Sequence, residues 1–275
     1  SDCAARRYRQ LMRAAFLLSV AALAMAGAAS ADTAYVKPST FAPVSGQAIT
    51  VEVAFNDYCC EPRHAVRTDT YAVILPDGAQ TQPDRIETFA TTTVLEQTIT
   101  QTGTTRFTTG ERLGRKGEYV LLDGAYHLVN SDDAAPIDIP EGTPILTSQT
   151  ATVSDAYVTA GLPDWGAIRT RVGRLAMEPA LHPNAVSVGV PFIGRVSFDG
   201  QPVSGGSVIL TSEARRLHRE GGIVVPIDGS GVFTVNWDHP GVHVLMVRLQ
   251  APAPDGAGTD IRSYTTSLTL NVALE

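Results

Sequence analysis

An all-β chain with two β-sandwich domains in tandem behind an export signal is the fold that three features of this 275-residue sequence predict. The composition is poor in charge, with 18% Asp, Glu, Lys and Arg, and rich in Gly (24), Pro (17) and Thr (29). Strands and turns favour that mixture over helices. Short runs of alternating apolar and polar residues recur from Gln47 to the C-terminus, separated by turn dipeptides. The length is at the upper edge of what one hydrophobic core supports, so two units of about 100–130 residues are expected.

The first 31 residues read as an export signal. Arg13 precedes an apolar, small-residue run from Ala14 to Ala29, and Ala29-Ser30-Ala31 supplies an A-x-A cleavage site before Asp32. The run is shorter than the roughly 20 residues of a spanning helix, and no Cys follows it for a lipid anchor. Met12, just before Arg13, is expected to be the start, and Arg6-Arg7 to belong to an upstream extension. Loss of residues 1–31 removes four Arg and Asp2, leaving 17 basic and 27 acidic residues and a net charge of −10. Such acidity opposes nucleic-acid binding, which needs a basic stripe. No later apolar run is long enough to span a membrane, so a periplasmic protein is expected.

The first unit is expected over residues 32–160. Ile49, Val51, Val53 and Phe55 alternate with Thr50, Glu52 and Ala54, the period of a half-buried strand. Tyr71 to Leu75 is a short strand stopped by Pro76-Asp77-Gly78. Thr88 to Thr109 reads as two strands around Gly103, Glu118 to Leu122 as another closed by Asp123-Gly124, and Thr147 to Thr159 as the last. The abundant Thr is expected at solvent-facing strand positions. Residues 161–178, with Leu162-Pro163-Asp164-Trp165-Gly166 and three Arg, read as a linker holding at most a helical turn or two.

The second unit, 179–275, reads strand by strand: Pro191 to Phe198, the hairpin turn Asp199-Gly200-Gln201-Pro202, Ser207 to Thr211, and Ile223 to Ile227. Ser212 to Glu220 is the one short helix expected there. Phe233, Val235 and Trp237 alternate with Thr234 and Asn236; Pro240-Gly241 turns the chain into Val242 to Leu249; and Leu268, Leu270, Val272 and Leu274 close the fold. About seven short strands in under 100 residues is the pattern of an immunoglobulin-like sandwich.

With Cys3 lost, the exported chain keeps only Cys59-Cys60. Three fates are open: a vicinal disulfide, although consecutive Cα atoms lie only about 3.8 Å apart, below the usual disulfide range; free or intermolecularly bridged thiols; or a thiolate metal site of Cys59, Cys60 and His64, with Asp57 nearby, suited to a soft or borderline ion. His239 and His243 form H-x3-H, but Pro240-Gly241 forbids the helix that would align them, and an exposed pair is expected. His127 and His182 read as structural, and His218 sits in a basic loop segment with Arg219. Asp132, Asp133, Asp138 and Glu141 form an acidic loop whose spacing matches no EF-hand. The chain holds no G-x-S-x-G, H-E-x-x-H, P-loop, C-x-x-C or G-x-G-x-x-G pattern, which favours a non-catalytic reading.

The residues Asp199-Gly200-Gln201-Pro202-Val203, Gly206, Val208, Asp228-Gly229, Gly231, Phe233, Trp237 and Pro240-Gly241-Val242 resemble the transthyretin-like or carboxypeptidase-regulatory-like sandwiches. Together with Tyr35-Val36-Lys37-Pro38, Phe41, Gly46, the strand to Phe55 and the connector Thr159-Ala160-Gly161-Leu162-Pro163, the whole mature chain resembles the NikM-like family of bacterial periplasmic proteins, a domain-of-unknown-function family. The resemblance implies an accessory role in nickel or cobalt uptake, with nickel, cobalt or copper handled at the envelope beside a membrane transporter or outer-membrane receptor component. Asp32-Thr33-Ala34 departs from the family, which carries a His before the aromatic-x-x-Pro motif. The competing expectation is a structural or interaction module that binds a transporter or polymer without metal.

Overall fold

The computed structural model describes residues 33–56, 59–132, 134–218 and 220–274; the segment expected to direct export, Cys3, Asp57, Asp133 and Arg219 lie outside them. The first half carries β1 (Thr33–Pro38), β2 (Ala48–Asn56), β3 (His64–Ala65), β4 (Ala72–Ile74), β5 (Gln80–Thr81) and β6 (Arg85–Thr88). It continues through β7 (Thr93–Thr98), β8 (Gly103–Thr108), β9 (Arg112–Leu122), β10 (Ala125–Val129) and β11 (Leu146–Ala160). After the helical turn α1 (Gly166–Arg169) come β12 (Leu175–Pro179), β13 (Phe192–Phe198), β14 (Gln201–Pro202) and β15 (Ser207–Ser212). The short helix α2 (Glu213–Leu217) precedes β16 (Ile223–Pro226), β17 (Val232–Val235), β18 (Gly241–Pro252) and β19 (Ile261–Val272). The all-β expectation is met.

These strands make three sheets. One runs β1-β2-β7-β6 with β3 on β2; one runs β12-β13-β14 with β17 on β13. The third and largest runs β16-β15-β18-β19-β11-β8-β4-β5, with the β9–β10 hairpin attached to β11. Strands of both halves therefore meet in one sheet, through a parallel ladder that pairs Ser148–Ala156 of β11 with Ile261–Thr269 of β19.

The register of that ladder decides where the cores lie. Ala156, Val158 and Ala160 of β11 face the five-stranded sheet, in a core with Val36, Val51, Val53, Leu95 and Phe107. Ala151 and Tyr157, at odd positions on the opposite face, join Tyr264, Leu268 and Leu270 of β19 in a core closed by Phe192, Phe233 and Trp237 of the four-stranded sheet. The two smaller sheets thus cover opposite faces of the shared one, offset along it.

The expectation that Thr faces solvent holds for strand residues such as Thr50, Thr81, Thr88, Thr147 and Thr234, which are exposed, but not for a second set. Thr93, Thr104, Thr105, Thr108, Thr109, Thr152, Thr266 and Thr269 are all buried. Every residue of β8 is buried, because a strand inside a sheet covered on both faces has no wet side, and there Thr serves as a Val-sized β-branched filler whose hydroxyl must find an acceptor. Ser does the same where β1 crosses the ladder: the Ser154 and Ser267 hydroxyls lie 2.8 Å apart and each donates to the Ala34 carbonyl, at 3.2 and 2.6 Å.

The expected linker is also corrected. Residues Leu175–Pro179 are a strand, paired with Phe198–Gly194, because Leu175 enters the second core at 2% exposure. What precedes it is firmly held, as described below. The hairpin turn at Asp199-Gly200 forms as expected, with φ of 51° and 81°, the positive values that a two-residue turn matched to strand twist requires.

Candidate functional site at the Cys59–Cys60 junction

Of the three fates open to the cysteines, the structure has the first: Cys59 and Cys60 are joined to each other. Both are buried and form a small cluster with Tyr35, Ala54 and Val244, against which Val242 packs. Cys59 Sγ lies 3.9 Å from the Val242 carbonyl oxygen. The bonded sulfurs have no S–H to satisfy and behave as apolar atoms, so they fit the seam between β1–β2 of the first half and β18 of the second. Cys60 takes φ of 64°, a left-handed conformation uncommon for a residue with a side chain.

Polar groups ring this seam. Tyr35 on β1 donates its phenol proton to Glu52 Oε1 at 2.6 Å. Burial, reinforced by the Glu52 carboxylate, pushes the Tyr35 pKa far up, so the phenol stays protonated as a donor. Lys37 Nζ pairs with Glu213 Oε1 of α2 at 3.1 Å, and Arg216 Nη1 with Glu61 Oε2 at 3.1 Å. Both ion pairs bridge the two halves. Ser212 fixes α2 for this role by accepting the Arg215 N–H as its N-cap. None of Tyr35, Lys37, Glu52, Glu61, Glu213 or Arg216 was selected as a site residue from sequence. The cross-strand register alone places Lys37 opposite Glu52, whereas the pairing with Glu213 spans 176 positions and leaves no local trace.

His64 does not join the sulfurs in a ligand set. It is exposed on the two-residue strand β3, opposite Phe55. With the sulfurs bonded to each other, neither is a thiolate, so this oxidation state offers no soft ligand to a cation. Among the described residues no group of three or more His, Cys, Asp and Glu is gathered as a metal ion would need.

The other histidines separate in the same way. The expected exposed pair is half right: His239 is exposed, 3.9 Å from Asp238 Oδ2, but His243 is buried at 1% exposure. It sits in the second core because β18 alternates there, with Leu270 opposite it and the Trp237 ring edge-on at 5.1 Å. Its Nδ1–H donates to the Gly241 carbonyl at 3.0 Å, which leaves Nε2 as a bare, buried lone pair. His182 is buried at the junction. It accepts the Asn184 N–H at Nδ1 (3.2 Å) and donates from Nε2 to the Asp164 carbonyl (3.1 Å) and Thr104 Oγ1 (3.0 Å). His127 is half-buried on β10, and His218, Asp132, Asp138 and Glu141 are exposed.

Burial lowers the pKa of both His182 and His243. A folded-state value below the unfolded one means that the unfolded chain binds protons first, so stability is full above about pH 6.5 and falls as pH drops through the unfolded value toward the folded one. The urea midpoint is therefore expected to decline between pH 7.5 and 5.5, and His243→Gln to shrink that decline. An unchanged slope in the variant would remove His243 from the account.

These features define a class: a nearly all-β architecture in which strands of both halves share one large sheet, with the Cys59–Cys60 disulfide packed at the seam between them. The chain belongs to the family described as Domain of unknown function (DUF4198), whose family model matches residues 29–251. That match runs from β1 into β18 and so includes both halves and the seam. No curated protein matches the chain.

Proposed function

We propose that this is an exported, non-catalytic binding or accessory protein of the periplasm, an interaction module that docks against a membrane transporter or outer-membrane receptor component. One observation carries the reading. At the Phe41 carbonyl the loops that follow β1 and β12 meet the end of β11, which leads into a third loop: Phe41 O accepts the Thr159 N–H at 3.0 Å and the Asn184 side-chain amide at 2.9 Å. Each loop exposes an aliphatic residue three positions from that junction, Val44 at 68%, Leu162 at 85% and Leu181 at 38%. Exposed apolar side chains on loops that are tied together form the kind of surface a protein partner covers. The disulfide seam supports the compartment, since such bonds persist in oxidising surroundings. Placing charges there with Val44→Asp and Leu162→Asp together should leave the urea midpoint nearly unchanged while abolishing cross-linking of residues 32–275 to envelope membranes. Retained cross-linking would overturn the reading.

A second reading, NikM-like handling of nickel, cobalt or copper, is favoured by the closeness of Cys59, Cys60 and His64 in the sequence, from the turn after β2 to the first residue of β3. Reduction of the disulfide would free two thiols near an exposed imidazole. Native mass spectra of residues 32–275 with nickel, cobalt, copper and zinc, oxidised and reduced, decide between the two. A metal retained by the protein and lost in Cys59→Ser, Cys60→Ser, His64→Ala would install the metal reading. A mass two hydrogens below the reduced value, with no metal retained in either state, leaves the interaction module.

A further inference from the structure

The segment that connects the halves builds a cleft of about 500 Å³ between α1 and β12, within the size range of small-molecule sites. Its walls combine the half-buried Trp165 and Met177 with Ile168, and its rim carries Arg169, Arg171 and Glu178. The walls are held firmly. Asp164 accepts the Thr104 N–H at Oδ2 (2.9 Å) and the Gly166 N–H at Oδ1 (3.0 Å), while its carbonyl receives His182. The His182 ring meets Trp165 edge-on at 5.5 Å. Gly166 seats the turn so closely on the first half that a Cβ there would fall 1.8 Å from the Pro76 carbonyl oxygen.

The charges of the cleft do not balance. Arg106, at its floor, is bound by Asp155 through two nitrogens. Arg171 is bound to Glu178 at 2.9 Å, and both contact Ser197 Oγ. Arg169 is left with an exposed guanidinium that has no side-chain hydrogen bond or ion pair among the described residues. One free planar cation thus stands beside an indole and two aliphatic side chains, in a chain whose net charge is −7.

The geometry points to a binding site for a small organic carboxylate with a flat apolar body, its carboxylate on Arg169 and its ring against Trp165 and Met177. Guanidinium takes a carboxylate through two parallel hydrogen bonds, and the apolar walls bury a ring that would otherwise stay in water. The site is independent of the Cys59–Cys60 seam.

The test is saturation-transfer NMR titration of residues 32–275 with 4-methylbenzoate, 4-methylbenzamide and acetate. The benzoate is expected to bind, with the neutral amide and the ringless acetate each weaker by about tenfold or more. Arg169→Met should lower benzoate affinity by about tenfold, Arg169→Lys less, with urea midpoints unchanged because the side chain is exposed. Trp165→Phe should weaken the benzoate and the amide alike. Absence of benzoate binding up to about 10 mM, equal binding of the amide, equal binding of acetate, or undiminished affinity in Arg169→Met would each overturn the proposal.

Discussion

Asp155→Asn is expected to destabilise the protein by about 3–5 kcal/mol, a large part of the total stability of an ordinary domain. The pair it breaks is buried on both sides, with side-chain exposures of 6% for Arg106 and 9% for Asp155. Arg106 Nε and Nη2 meet the two carboxylate oxygens at 3.0 and 2.6 Å, Nη1 donates to the Thr170 carbonyl at 2.6 Å, and the guanidinium lies 5.6 Å from the Tyr157 ring centroid. Burial opposes the charge on Arg106, and the nearby Asp155 and Tyr157 with the Asp155 hydrogen bond together outweigh it, so its pKa is raised. Neutralising Asp155 leaves a buried cation without its counter-charge, and that loss, more than the pair's own net strength, sets the size of the effect. The variant Arg106→Met, Asp155→Leu should recover much of the loss, since it removes both charges and keeps the volume. Urea midpoints of the three proteins check this. A single variant within about 0.5 kcal/mol of the parent would mean that water reaches the site.

What could be read from sequence divides along the same line between local and distant causes. The strands around Ile49, Phe233 and Leu268 declare themselves by period-two alternation because each has one face on a core and one on water. The Asp199-Gly200 turn declares itself by residues that tolerate positive φ. β11 gives a weaker signal, since Ala151 to Val158 is buried on both faces and its small polar residues read as surface. Its parallel pairing with β19 joins Ser154 to Ser267, 113 positions away, and nothing in either segment marks the other. The candidate site shows the same limit. The adjacency of Cys59 and Cys60 made a disulfide one of three outcomes, but the seam that receives it is built by Tyr35 and Val242, and only the fold brings those together. His243 looked exposed beside Pro240-Gly241 because a turn says nothing of what packs on the strand that follows it.

The shared ladder also bears on whether 32–160 and 179–275 are separable units. If the β11–β19 pairing is what holds the halves together, residues 32–275 should unfold in urea as one cooperative unit, with Trp fluorescence and far-UV circular dichroism giving the same midpoint. The two tryptophans report different places, Trp165 on the connector and Trp237 in the second core at 4% exposure, so coincidence would be informative. A fragment of residues 161–275 is expected to fail to fold. Cutting it free turns the twelve-residue β19 into a long open edge, which invites pairing between copies. It also removes Ala151 and Tyr157 from the second core, together with the disulfide cluster that covers Val244. Loss of a buried aromatic alone costs about 3–5 kcal/mol, and the fragment loses Tyr157 along with the ladder. Amide NMR spectra of the fragment should therefore be poorly dispersed or broadened by association. A dispersed spectrum with its own sharp urea transition, or two separate transitions in the intact chain, would show instead that the sheet is a contact between two independently stable sandwiches.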